Sequence, residues 1–200
     1  MAITKANILT FVNTALQENF SGTQLDTEIQ QVLDDLSDED LLVGSDDTQT
    51  LSSGDLTLNT PTGFRALIAI TLTITSSGSE QYPLQKLKGG HQEYRKLRHN
   101  DSSSGIPRWF SEFNDLFYLW RPPNQNFSTL IEYYKDHPQD VNTIEFDEGK
   151  YKNVIYNGVT YFVAMNRGKI TYLNIWKPAY YEEKAKIILE HPPLPRFCEG

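Results

Sequence analysis

The chain has one cysteine in 200 residues, Cys198. No disulfide can close within it, and no multi-cysteine zinc centre can be built. Long apolar runs are missing as well. Mean hydropathy is −0.49, and the best candidate, Ala66 to Ile74, is interrupted by Thr71 and Thr73. That falls short of the ~20 apolar residues that span a bilayer. The first residues carry a single base, Lys5, and no signal-peptide core, so export is not expected. There is no phosphate-cradling glycine loop, no HExxH, no CxxC and no GxSxG. The four histidines, His91, His99, His137 and His191, lie in three separate stretches, so they read as surface residues and not as metal ligands. No cofactor is expected.

What the chain does have is uneven charge. The first fifty residues hold ten acids and one base, and the remaining 150 hold sixteen acids and seventeen bases. A net charge of −8 argues against a general nucleic-acid binder. One basic stretch stands out: Lys86, Lys88, Arg95, Lys96, Arg98 and Arg108, opposed only by Glu93 and Asp101. An acidic end and a basic middle offer complementary faces for stacking copies, although ordinary solvated charge is the favoured explanation. The paired acids, such as Asp34-Asp35 and Glu182-Glu183, sit mostly in loops and at expected helix starts. There they serve capping and solubility better than catalysis.

Apolar periodicity divides the chain in three. Ile8, Phe11, Val12, Ala15 and Leu16 mark one helical stripe with Thr4 as N-cap. Ile29, Val32, Leu33 and Leu36 mark a second, with Asp26 as cap. Ser37 followed by Asp38, Glu39 and Asp40 reads as a further capped first turn. Strand patterns follow. Ala66, Ile68, Ile70, Leu72 and Ile74 alternate along one segment, and Ser76 to Ser79 forms a loop tip. Gln92 to His99 is a short helix. Two strands flank Asn114-Asp115, and Phe127, Thr129, Ile131 and Tyr133 share a face of a third. The last third returns to helix. Tyr151, Val154, Ile155, Val159, Phe162 and Val163 form a stripe with Gly158 on the same side, where glycine marks close packing. Gly168 stops it. A final helix covers about Asn174 to Glu190, with Pro178 in its first turn or kinking it. The expected fold class is α+β, with an N-terminal αα-hairpin and two C-terminal helices forming a helical body. An antiparallel β-rich lobe is inserted in it. The expected boundaries are 1–47 with 148–200 for the body and 48–147 for the lobe, followed by an extended proline-rich tail over 191–200.

Aromatics concentrate in residues 106–138, which hold nine of the chain's 24. Aromatic strands pack cores, and Trp, Tyr and Arg also dominate interfaces. The Trp120-Arg121-Pro122-Pro123-Asn124 turn, together with Trp109, is the candidate contact surface. Arg95 and Arg98 add basic contacts, and Pro192, Pro193, Pro195 and Phe197 in the tail add extended ones. A carbohydrate-binding module or small hydrolase would use similar rings and is the alternative from a different class.

The order of features resembles the head-completion, or head-to-tail adaptor, proteins of tailed bacteriophages. LSSGDLTLNTPTGFRALIAITL is similar to the family's strand, proline-and-small-residue loop and strand entry. SGIPRWFSEFNDLFYLWRPPNQNFSTLIEYYKDHP is the closest match, followed by YKNVIYNGVTYFVA and NIWKPAYYEE. The resemblance implies a non-enzymatic virion protein of the particle neck, made in the host cytoplasm. It implies a ring of identical copies, twelve-fold, bound to the portal protein and to a tail, nozzle or tail-completion protein. The C-terminal segment would reach into the portal. It leaves room for non-specific contact between the basic stretch and genomic DNA, and for another neck or tail-completion role.

Overall fold

The structure, a computed structural model, describes residues 3–75 and 80–194. The Ser76–Ser79 loop tip, Cys198 and the interface candidates Pro195 and Phe197 lie outside the described residues. The chain divides into two units, Met1–Leu42 with Asp136–Pro193, and Val43–Lys135 with Leu194–Gly200.

The first unit is helical. Helix α1, Lys5–Leu16, starts where the Thr4 hydroxyl accepts from the Asn7 amide, and it buries Ile8, Val12 and Leu16. Helix α2, Asp26–Asp38, buries Ile29, Val32, Leu33 and Leu36. Asp26 is not its cap. Leu25 holds that position without a side-chain bond, and Asp26 pairs with Lys5 at 2.6 Å. Nor does Ser37 open a helix. It lies in the last turn of α2, donating to the Leu33 carbonyl and accepting from the His137 amide. Asp38 and Glu39 therefore stand at the negative end of a helix, the unfavourable end for acids. A cation from elsewhere in the unit compensates: Lys184 reaches Glu39 at 2.9 Å and Asp35 at 2.8 Å.

Helices α4, Glu148–Asn166, and α5, Ile170–Glu190, complete this unit. The short α3 belongs to the other unit and is described with it. Asp147 caps α4 by accepting from the Lys150 amide. Val154, Ile155, Val159 and Val163 of α4 are fully buried against α1 and α2. Each such side chain stabilises the fold by roughly 1.5–3 kcal/mol. Gly168, with φ of 65°, turns the chain sharply, so α5 starts four residues before the expected Asn174. Pro178 consequently lies well inside α5, on its exposed side. His137 also departs from expectation. It is buried at 1% exposure, with Nδ1 bonded to the Pro138 carbonyl and Nε2 accepting from the Glu145 amide. The ring clasps the loop leading into α4.

Gly158 explains how α4 and α5 approach each other. A Cβ there would stand 2.7 Å from the Tyr180 ring and 3.0 Å from a Val32 methyl. Gly158→Ala gains about 1 kcal/mol of helix propensity but overfills the site at a cost of roughly 1–3 kcal/mol. The expected result is net destabilisation in urea unfolding. A stabilised variant would mean that Tyr180 can step aside.

The second unit is a two-sheet β structure. Its strands are β1 Val43–Asp46, β2 Thr50–Leu51, β3 Thr57–Asn59, β4 Phe64–Ile74, β5 Gln81–Pro83, β6 Gln85–Lys86, β7 Trp109–Phe113, β8 Leu116–Trp120 and β9 Phe127–Lys135. The strands thus begin at Val43, ahead of Thr48. One sheet runs β1-β9-β4-β5, with β2 also on β9, and the other runs β3-β8-β7-β6. Pairing is antiparallel except β6 with β7, which is parallel. A register shift in β4 between Leu67 and Ala69 changes which side chains face inward. Leu67, Ile70, Leu72 and Ile74 are buried while Ile68 is not, because a bulge moves the alternation by one residue. Phe110, Phe117 and Leu119 meet these residues in the core. Asn114 and Asp115, with φ of 49° and 56°, make the tight two-residue turn that matches strand twist.

Candidate interface surface

The β7–β8 hairpin sorts its aromatics by alternation. Phe110 pairs with Leu119, and Phe117 lies beside Glu112, on the face that enters the core. Trp109 pairs with Trp120, Ser111 with Tyr118 and Phe113 with Leu116 on the other face. Helix α3, Gly90–Asn100, packs on that second face. His91 stacks on Phe113 at 4.4 Å, meets Tyr118 edge-on at 4.6 Å and bonds the Ser111 hydroxyl at 3.2 Å. Tyr94 is buried beside it, and burial raises its phenol above the ordinary value.

The Trp pair lies on the same outer face. The rings of Trp109 and Trp120 are 5.3 Å apart and tilted 46° to each other, so they do not present the coplanar platform on which a sugar would stack. Both are half-buried. The Arg121 guanidinium lies 5.5 Å over Trp120 and pairs with Asp101 at 3.0 Å. Pro122 and Pro123 are buried, and their carbonyls accept from the amides of Gly105 and Gly54. Of the expected contact turn, Arg121, Asn124 and part of Trp120 reach the surface. Arg95 is exposed on α3 and Arg98 is half-buried there. Pro192 and Pro193 are exposed. The Trp120 turn and α3 belong to the β unit, and Pro192 and Pro193 belong to the helical one.

Sequence reasoning missed a different surface. Helix α5 exposes Ile170 at 72%, Ile175 at 56%, Tyr181 at 48% and Leu189 at 81%. With Pro178 between them, these residues fall on one side of α5 at about 100° per residue. The opposite side buries Tyr180 and Ile187. The signal was present, since residues 170–190 carry apolar residues on every side of a helix, as a helix covered all round does.

Among the described residues, no three of His, Cys, Asp and Glu come together as a metal-binding group. No helix of the described residues is long and apolar enough to cross a membrane. One depression in the helical unit, about 490 Å³, is open and polar, bordered by Asp26, Gln30, Asp34 and Asp140.

The chain is thus a two-unit α+β protein with exposed apolar side chains on α5 and an aromatic outer face on the β7–β8 hairpin. Residues 3–186 match the family described as SU10 adaptor protein, and the chain belongs to that family of phage head-to-tail adaptors. No curated protein matches the chain.

Proposed function

We propose that the protein is a structural, non-enzymatic part of the phage neck. Copies form a ring, twelve-fold, between the portal and the tail, completing the head and connecting it to the tail. Family membership over residues 3–186 supports an adaptor role. The observation that carries assembly is the apolar outer face of α5, with Leu189 at 81% exposure. Ring closure needs a heterologous interface between identical chains, and such a face gives it something to bury. Arg95 and Lys96, exposed on α3, are the residues for non-specific contact with DNA in the channel.

The test is a mass measurement of the protein bound to portal-containing capsids. A closed ring of copies is the expected result, and failure to bind such capsids would sink the reading. The free protein stays monomeric if closure needs the portal as template. A companion variant locates the contact: Trp120→Ala is expected to weaken assembly more than it lowers thermal stability, since the ring is half-buried and packs on Trp109 and Arg121 at the surface. Equal losses would make Trp120 a core residue.

A further inference from the structure

One cavity of the β unit, beside the Trp109–Trp120 pair, is more enclosed than the depression in the helical unit. It measures about 280 Å³ and is lined by Tyr82, Pro83, Gln85, Arg108 and Trp109. It occurs where the chain passes from β5, at the edge of one sheet, to β6, at the edge of the other. The walls are firm. The Tyr82 ring is backed by Phe127, edge-on at 6.2 Å, and its hydroxyl donates to the Glu80 carboxylate. The Trp109 ring is backed by Trp120. A groove walled by Tyr, Trp and Pro, open along a sheet edge, suits the ridged, preformed polyproline II helix, which loses little entropy on docking. Glu80 beside Tyr82 supplies an acid, and Arg108 supplies a base.

The chain carries such a ligand. Pro192-Pro193-Leu194-Pro195-Arg196 is a Pro-x-x-Pro segment followed by a base, with Glu199 three residues further on. We propose that this segment of one copy docks in the Tyr82–Trp109 groove of a neighbouring copy, with Arg196 against Glu80. The Leu194 carbonyl accepts from the Tyr134 hydroxyl at 2.6 Å. Tyr134 pairs with Ala66 of β4, whereas Pro83 and Tyr82 pair with Thr71 and Leu72. Five to six residues of strand separate the two places, roughly 16–20 Å at about 3.3 Å per residue. A segment centred on Leu194 cannot occupy both. Docking therefore requires release of the Tyr134 bond, and in a closed ring the freed segment of one copy passes to the groove of the next. The inference rests on the ring reading, and it gives the tail a destination other than the portal.

The test uses the full chain under reducing conditions and a fluorescent peptide of residues 190–200, read by anisotropy. Saturable binding is expected. It should fall at least tenfold when Pro192 and Pro195 of the peptide are both alanine, and several-fold with Arg196→Glu in the peptide or Glu80→Gln in the protein. Trp109→Ala should abolish it. If that variant misfolds by circular dichroism, the peptide substitutions decide, since they leave the protein intact. Absence of binding, or equal binding of the alanine peptide or of an unrelated proline-rich peptide, overturns the proposal. Rings that form on the portal without peptide binding overturn this inference alone. Peptide binding with no ring on the portal overturns the ring reading instead.

Discussion

Replacing Tyr180 with alanine is expected to remove roughly 3–5 kcal/mol from the stability of the helical unit. Tyr180 is fully buried in α5 and faces Gly158, whose missing Cβ makes room for the ring. It stacks on Tyr161 at 5.9 Å and meets Phe162 and Tyr181. The vacated space cannot be filled by neighbours held on separate helices. The hydroxyl donates to Asp35 on α2, and burial, then that bond, raises the phenol far above its ordinary value. Tyr180→Phe keeps the ring and loses only the hydrogen bond, so about 1–2 kcal/mol is expected from it. Urea unfolding of the two variants separates packing from hydrogen bonding, and equal losses would make the hydroxyl the dominant contact.

Lys184, one turn along, completes the same cluster. Burial pulls its ammonium down, but the hydrogen bonds it donates to Asp35 and Glu39 outweigh burial and hold it above the ordinary lysine value. A raised lysine contributes stability below its unfolded value, about 10.4, and loses it as pH rises through the folded one. The gap between the wild type and Lys184→Met should therefore stay level through neutral pH and close only in strongly alkaline solution.

The double substitution Ile175→Asp and Leu189→Asp should have the largest effect on assembly. Both side chains are more than half exposed in the single chain, so each change should move monomer stability by no more than about 0.5 kcal/mol. In a ring that covers this face, each carboxylate loses its water without gaining a partner, which costs several kcal/mol. Retention on portal-containing capsids should fall at least a hundredfold while the melting temperature stays put. Unchanged retention would remove α5 from the interface.

Much of the fold was legible in the sequence where period and capping agreed. Thr4 with Ile8, Val12 and Leu16, and the Val154–Val163 stripe with Gly158, read correctly because one face of each helix enters a core. The errors have specific causes. Asp38 and Glu39 look like the start of a helix because acids favour that end, but Lys184, nearly 150 residues later, stabilises Glu39 at the other. Ile68 was placed inward because nothing local announces a bulge. Pro178 drew the start of α5 toward itself, while the turn at Gly168 had already set it. The aromatic hairpin was readable as strands, but its division into a core face and an outer face depends on which sheet it joins. The α5 surface was overlooked because an apolar residue in a helix is read as buried until a partner fails to appear.

The stem of the β unit, where Val43 pairs with Tyr134, carries a consequence for synthesis in the cell. The apolar stripes of α1 and α2 leave the ribosome early, yet the α4 residues that cover them come about 120 residues later. At roughly 5–20 residues per second, that is a wait of about 6–25 s with bare hydrophobic helices. A chain stalled at Lys135 would hold a closed β unit beside an uncovered hairpin. The nascent protein is thus at its stickiest midway through translation, when a trigger-type chaperone would matter most.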